Sequence, residues 1–207
     1  IDPGNFAVDD HGDLRIIGNQ SPRYRYGVNL SARWNGIGLS VFLQGVGARD
    51  WYPGSDAGMF WGKYGRPFFA LIPSIHNYTD DMYSAERNNW DTAYWPRMTT
   101  YQSNGTKNWT RLLEIPNTRY IQSAAYLRVK NIQLDYSFPK HICSAIRLQG
   151  LKIYVNAENL FTFTPLHKYA PNFDPEGLSY DSDFASAADG YTYPILKSVT
   201  VGVNITF

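Results

Sequence analysis

From residue 198 to the end of the chain, polar and apolar residues alternate without a break. Val199, Val201, Val203, Ile205 and Phe207 are separated by Ser198, Thr200, Gly202, Asn204 and Thr206. A period of two puts one set on each face of a β-strand. The pattern recurs in Tyr24, Tyr26, Val28, Leu30, Ala32 and Trp34, set against Arg23, Arg25, Gly27, Asn29, Ser31 and Arg33. Asn35-Gly36 follows, a dipeptide suited to the φ > 0 positions of a tight hairpin turn. Ile37, Leu39, Val41 and Leu43 then resume the alternation. Leu127 and Val129 give way to Ile132, Leu134 and Tyr136, a slip of one position at Lys130-Asn131 that predicts a β-bulge. Strands are predicted at about 23–34, 37–50, 124–138, 151–163 and 195–207. They are far longer than the usual strand of about five or six residues, and a tilted strand needs about 9–11 to cross a bilayer.

The connections alternate short and long: a two-residue turn, a loop over about 51–120, a turn at 139–149 and a loop over about 164–193. Outer-membrane barrels have this asymmetry, with the long loops extracellular. A soluble β-sandwich also alternates along its strands, and Arg25, Arg33, Lys152 and Glu158 on the polar faces suit either architecture. Aromatic residues near the strand ends (Tyr24, Trp34, Trp51, Tyr136, Phe161, Phe163) fit interfacial girdles. Only 18% of residues are charged and 16% are aromatic. A net charge of +1 lacks the basic footprint of a nucleic-acid binder, and the single Cys143 excludes a disulfide framework. The first residues, Ile1-Asp2-Pro3-Gly4, carry no signal-peptide pattern.

Specific strings go further than periodicity. Asp13-Leu-Arg-Ile-Ile-Gly-Asn19, Pro22-Arg-Tyr-Arg-Tyr-Gly-Val-Asn-Leu30, Leu39-Ser-Val-Phe-Leu-Gln-Gly-Val-Gly47, Ala125 through Pro139, Glu158-Asn-Leu-Phe-Thr-Phe-Thr164 and Tyr193-Pro-Ile-Leu-Lys197 occur in that order. Together they resemble the C-terminal third of the SusC/RagA family of TonB-dependent outer-membrane transporters. The resemblance implies an all-β, transmembrane antiparallel barrel of 22 strands with a plugged lumen, to which residues 1–207 contribute about five strands and no plug. It implies import across the outer membrane of a Gram-negative bacterium, with an N-terminal region that contacts the TonB complex and a SusD-like lipoprotein as lid. Oligosaccharides are the expected ligand and peptides the alternative; no cofactor is implied. Asp135 departs from the family pattern, which has a small residue there.

On the wall, Arg25, Asn29, Arg33, Gln44, Tyr154, Asn156 and Glu158 are expected to face the lumen. The resemblance makes Phe207, with Ile205 and Val203, the barrel insertion signal. The 51–120 loop holds five of the six Trp residues. Trp90, Tyr94, Trp95, Trp109, Trp61 and Tyr83 are expected to contact ligand or lid, the structural alternative being that they pack the loop itself. Residues 80–87 are expected to form a short helix. In the second loop Asp174, Glu176, Asp181, Asp183 and Asp189 read as a solvated acidic stretch, too sparse to specify Ca²⁺, and no metal site is expected. Catalysis finds no support. The four histidines are scattered, and Ser74 with His76 and His167 with Asp174 lack an orienting third group. A barrel that displays loops without transport is the remaining rival.

Overall fold

The computed structural model describes residues 9–10, 12–53, 81–95, 116–171, 173–178 and 195–207. Its elements are β1 (Arg23–Trp34), β2 (Ile37–Ala48), β3 (Asp50–Trp51), β4 (Gln122–Ser123), β5 (Tyr126–Ser137), a short helix α1 (Lys140–Ala145), β6 (Gly150–Phe163), a 3₁₀ turn (Pro165–Lys168) and β7 (Ser198–Thr206). Five strands form one antiparallel sheet in the order β1-β2-β5-β6-β7. A 12-residue strand such as β1 extends about 40 Å. Tilted by ~45°, it spans the ~30 Å hydrocarbon layer of a bilayer.

The β1–β2 hairpin turns on Asn35 (φ 46°) and Gly36 (φ 86°), both left-handed as the dipeptide predicts. Ser137 N–H donates to the Gly36 carbonyl at 2.8 Å, which fastens the turn to the end of β5. The predicted bulge lies at Lys130, where the register shifts between Val129 and Asn131.

Strand ends differ from expectation. β2 stops at Ala48 because Asp50 and Trp51 leave the sheet and pair with Ser123 and Gln122. β5 starts at Tyr126, and β7 at Ser198 rather than 195. The 139–149 connection, expected as a turn, contains α1, in which Cys143 is buried and its Sγ–H donates to the Phe138 carbonyl at 3.7 Å. In place of the helix expected over 80–87, the described residues hold a Met82–Trp95 bridge and a turn at 85–88. The Asn89 side chain takes the Ser84 N–H at 2.9 Å and donates to the Met82 carbonyl at 3.1 Å, so it replaces the helical pairing of that backbone.

The two faces of the sheet differ in character. Paired residues share a face, so Val28–Leu43–Val129–Phe161 is an apolar row. Arg33–Gly38–Asp135–Tyr154–Gly202 is a polar row. On the apolar face Val199, Val201, Val203 and Ile205 are all exposed, as a surface facing lipid requires.

Two glycines let large side chains lie along the polar wall. A Cβ on Gly38 would sit 2.6 Å from Asp135 Oδ1 and 2.7 Å from Arg33 Nη2, and one on Gly202 would collide with the Tyr154 ring. Gly202→Val in the full-length polypeptide is therefore expected to lower stability by about 1–3 kcal/mol, the usual cost of overpacking. Heat-modifiability on gels, read as the temperature at which the folded band disappears, checks this; an unchanged temperature contradicts the close packing.

Candidate functional site on the polar face and its loop-bearing rim

Near the turn end of the polar face, Asp135 is nearly buried between two cations. Arg33 Nη2 donates to its Oδ2 at 2.9 Å, and Lys152 Nζ lies 3.4 Å from the same oxygen. Arg33 Nη1 also donates to Ser137 Oγ at 3.2 Å. Asp135 therefore faces the polar side with two partners, and its charge never meets lipid. Arg25, Asn29, Gln44, Asn156 and Glu158 lie on the same face by register. Glu158 accepts from Ser198 Oγ at 3.0 Å.

At the opposite end the sheet meets the long loops, and a second ionic group pins one of them. Arg128, 2% exposed, donates from Nη2 to Asp174 Oδ1 at 2.6 Å and from Nη1 to Glu176 Oε2 at 2.5 Å. Lys130 reaches Glu176 at 2.8 Å, and the Tyr126 hydroxyl donates to Glu176 Oε1 at 2.9 Å. Buried Arg49 donates to the carbonyls of Pro175 at 3.0 Å and Leu178 at 2.8 Å. Residues 173–178 are thus strapped to the wall by side chains from β5 and from the end of β2. Asp174 and Glu176, expected to be solvated, are drawn in because two strand cations lie directly beneath them.

Above the strap lies an aromatic core of Trp51, Tyr52, Trp95, Tyr120, Leu166 and Phe173, joined by Met82, Tyr94 and Tyr169. Tyr94 stacks on Tyr169 at 3.8 Å between ring centroids, and Trp51 meets Phe173 at 5.2 Å. The Gln122 amide donates to the Tyr94 hydroxyl at 2.5 Å, and Arg119 holds the Ala93 and Tyr94 carbonyls. Burial pushes the Tyr52, Tyr94 and Tyr120 phenols above their ordinary range, so each stays protonated.

Trp95 is only 1% exposed, so it fills this core and offers no face to a ligand or lid. Trp51, expected in an interfacial girdle, is also buried there. Tyr94 is half-buried and held on several sides. Tyr83 is half-buried, and its backbone N–H donates to the Trp95 carbonyl at 3.0 Å. Trp90 alone of the described loop candidates stands out into solvent, 68% exposed at the end of the turn that Asn89 organises. Trp61 and Trp109 lie outside the described residues, as do Asp181, Asp183, Ser74 and His76. His167 Nε2 is 3.1 Å from the Phe173 carbonyl. Among the described residues no three His, Cys, Asp or Glu side chains gather as a metal site would need. Arg49 and Arg128 were not expected as site residues. Alternation does put Arg128 on the polar face, but its loop partners are visible only in three dimensions.

No family model matches the chain. It is 26% identical over 220 residues to TonB-dependent receptor P3 of Formosa agariphila, an alignment covering 100% of the chain and 19% of that protein. It is 24% identical over 205 residues to TonB-dependent receptor P39 of the same organism, covering 99% of the chain and 18% of the relative. The structure of the RagAB peptide transporter superposes with a TM-score of 0.59 at 17% identity, over 98% of this chain and 19% of that one. The chain has the fold of part of an antiparallel transmembrane barrel and is similar throughout to TonB-dependent receptors. The chain spans about a fifth of the length of the relatives it matches.

Arg128→Met would leave two carboxylates beside an apolar side chain. Removing one partner of a buried pair costs about 3–5 kcal/mol, enough to release the strap. Limited proteolysis of the full-length polypeptide should then cut near 173–178 much faster than in wild type, while the sheet stays resistant. Trp95→Ala should cost about 3–5 kcal/mol of rim packing, seen as the same loss of protection across 81–95.

Proposed function

We propose that this segment is part of the wall and rim of an outer-membrane importer that takes up oligosaccharides by TonB-dependent transport, with a SusD-like lipoprotein closing its mouth. The observation that carries the reading is the whole-chain similarity to TonB-dependent receptors, together with a sheet whose two faces suit lipid and a water-filled lumen. In this reading residues 1–207 supply barrel strands and rim loops, and the plug and TonB-contacting region lie elsewhere in the polypeptide. The loops over about 51–120 and 164–193 are extracellular, and the apolar row ending in Val203, Ile205 and Phe207 serves barrel insertion. In the same reading Trp90, exposed on its loop, contacts ligand or lid. A rigid, exposed indole has the flat apolar face on which a sugar ring stacks.

A peptide ligand is the second reading. It is favoured by the likeness of fold to a structure described as a peptide transporter, and aromatic rims serve peptide side chains equally well.

The full-length polypeptide, extracted in detergent, should have a denatured mass several times 23.6 kDa and co-purify with a lipoprotein of similar abundance. A stable chain of 23.6 kDa alone would overturn the importer reading. Trp90→Ala should leave membrane insertion intact and weaken ligand capture or lid association by about 2 kcal/mol, roughly 30-fold. Calorimetric titration and the lipoprotein yield measure the two effects separately.

A further inference from the structure

Phe42 is a large apolar side chain set into the alternation that makes the inner face polar. It shares its row with Asn29 and Asn131 and sits between Ser40 and Gln44 along β2, yet it is a half-buried phenyl ring on a face built largely for water. Its ring lies over Gly27, where a Cβ would be 3.3 Å from Cε2, so the ring can lie along the wall. Beside it lies an open cavity of about 560 Å³, lined on the wall by Phe42, Gln44, Arg25 and Val46 and bordered above by Pro175 and Glu176 of the strap. Pockets for small molecules have volumes of ~300–1,000 Å³ and mix an apolar surface with a few placed polar groups. The roof is fixed, because Glu176 is gripped by Arg128, Lys130 and Tyr126 and the Pro175 carbonyl by Arg49.

We propose that this cavity is a lumenal saccharide subsite, in which a sugar ring stacks on Phe42 and its hydroxyls bond the Gln44 amide and the Arg25 guanidinium. It rests on the importer reading above and adds a second ligand contact, on the inner face of the wall. The wall strand β2 offers no free backbone edge to a ligand here. β2 is paired with β1 on one side and β5 on the other through this stretch, so a peptide could not bind by adding a strand. A planar amide, a guanidinium and a phenyl face match a ring with apolar C–H groups on its face and hydroxyls at its edge.

The test uses the full-length transporter with its lipoprotein, titrated with gluco-, manno-, xylo- and galacto-hexasaccharides and with a mixed peptide pool. One hexasaccharide should bind wild type, and Phe42→Leu, which keeps apolar bulk but loses the aromatic face, should weaken it at least tenfold. Phe42→Tyr should restore binding, and Leu39→Ala on the lipid face should leave it unchanged. Unchanged hexasaccharide affinity in Phe42→Leu overturns the subsite while the importer reading stands. Binding of peptides and of no hexasaccharide overturns the subsite and the saccharide reading together.

Discussion

Backbone amides and carbonyls in hydrocarbon must be paired within the protein, and the form of this segment follows from that requirement. β2, β5 and β6 have partners on both sides, whereas β1 and β7 have one each within the described sheet. Two edges left open over such lengths would be unsatisfied in lipid and sticky in water. Membership in a larger closed barrel resolves both problems. It also explains why so many large apolar side chains, Leu30, Trp34, Val199 and Val201 among them, stand exposed on one face. In a soluble monomer an apolar surface of that extent would need covering; in a barrel wall, lipid covers it.

Once one face is given to lipid, every charge on the strands must go to the other. Asp135 shows how such a charge is kept: Gly38 on β2 clears space, so Arg33 reaches across from β1 while Lys152 approaches from β6. Arg128 shows the same device turned toward the loops, where a wall cation captures loop carboxylates. The rim owes its order to both ionic and aromatic contacts. The strap is held from below by arginines, and Phe173 is packed from above by Trp51.

Where physics is local, it was legible in the sequence. Alternation located the five long strands, Asn35-Gly36 located the hairpin turn, and the phase slip located the bulge, because each depends only on neighbouring residues. Residue roles in the loops were less legible, since an aromatic side chain carries no mark of whether it packs or projects. Trp90 and Trp95 look alike in sequence. The difference comes from Asn89, which ties the turn so that one indole points out while the other enters a core built from residues far away in the chain. The acidic residues at 174 and 176 likewise read as solvated until the fold sets Arg128 beneath them. Short elements such as α1 and the β3–β4 pair were missed because two to six residues carry too little periodicity to detect.

The bulge at Lys130 ties these features together. Arg128 and Asp135 are an odd number of positions apart on one strand, so strict alternation would put one of them into lipid. The extra residue reverses the phase: Val129 pairs with Leu43 on the apolar face, while Asn131 pairs with Phe42 on the polar one. Both charges therefore face inward, one serving the wall and the other the strap. β6 accommodates the shift by setting Asn159 and Leu160 opposite Lys130, with Asn159 at φ 51°, so its own rows stay in phase. Lys130, displaced by the bulge, reaches Glu176. A single inserted residue thus lets one strand carry two ionic groups at opposite ends of the barrel wall without exposing either to lipid.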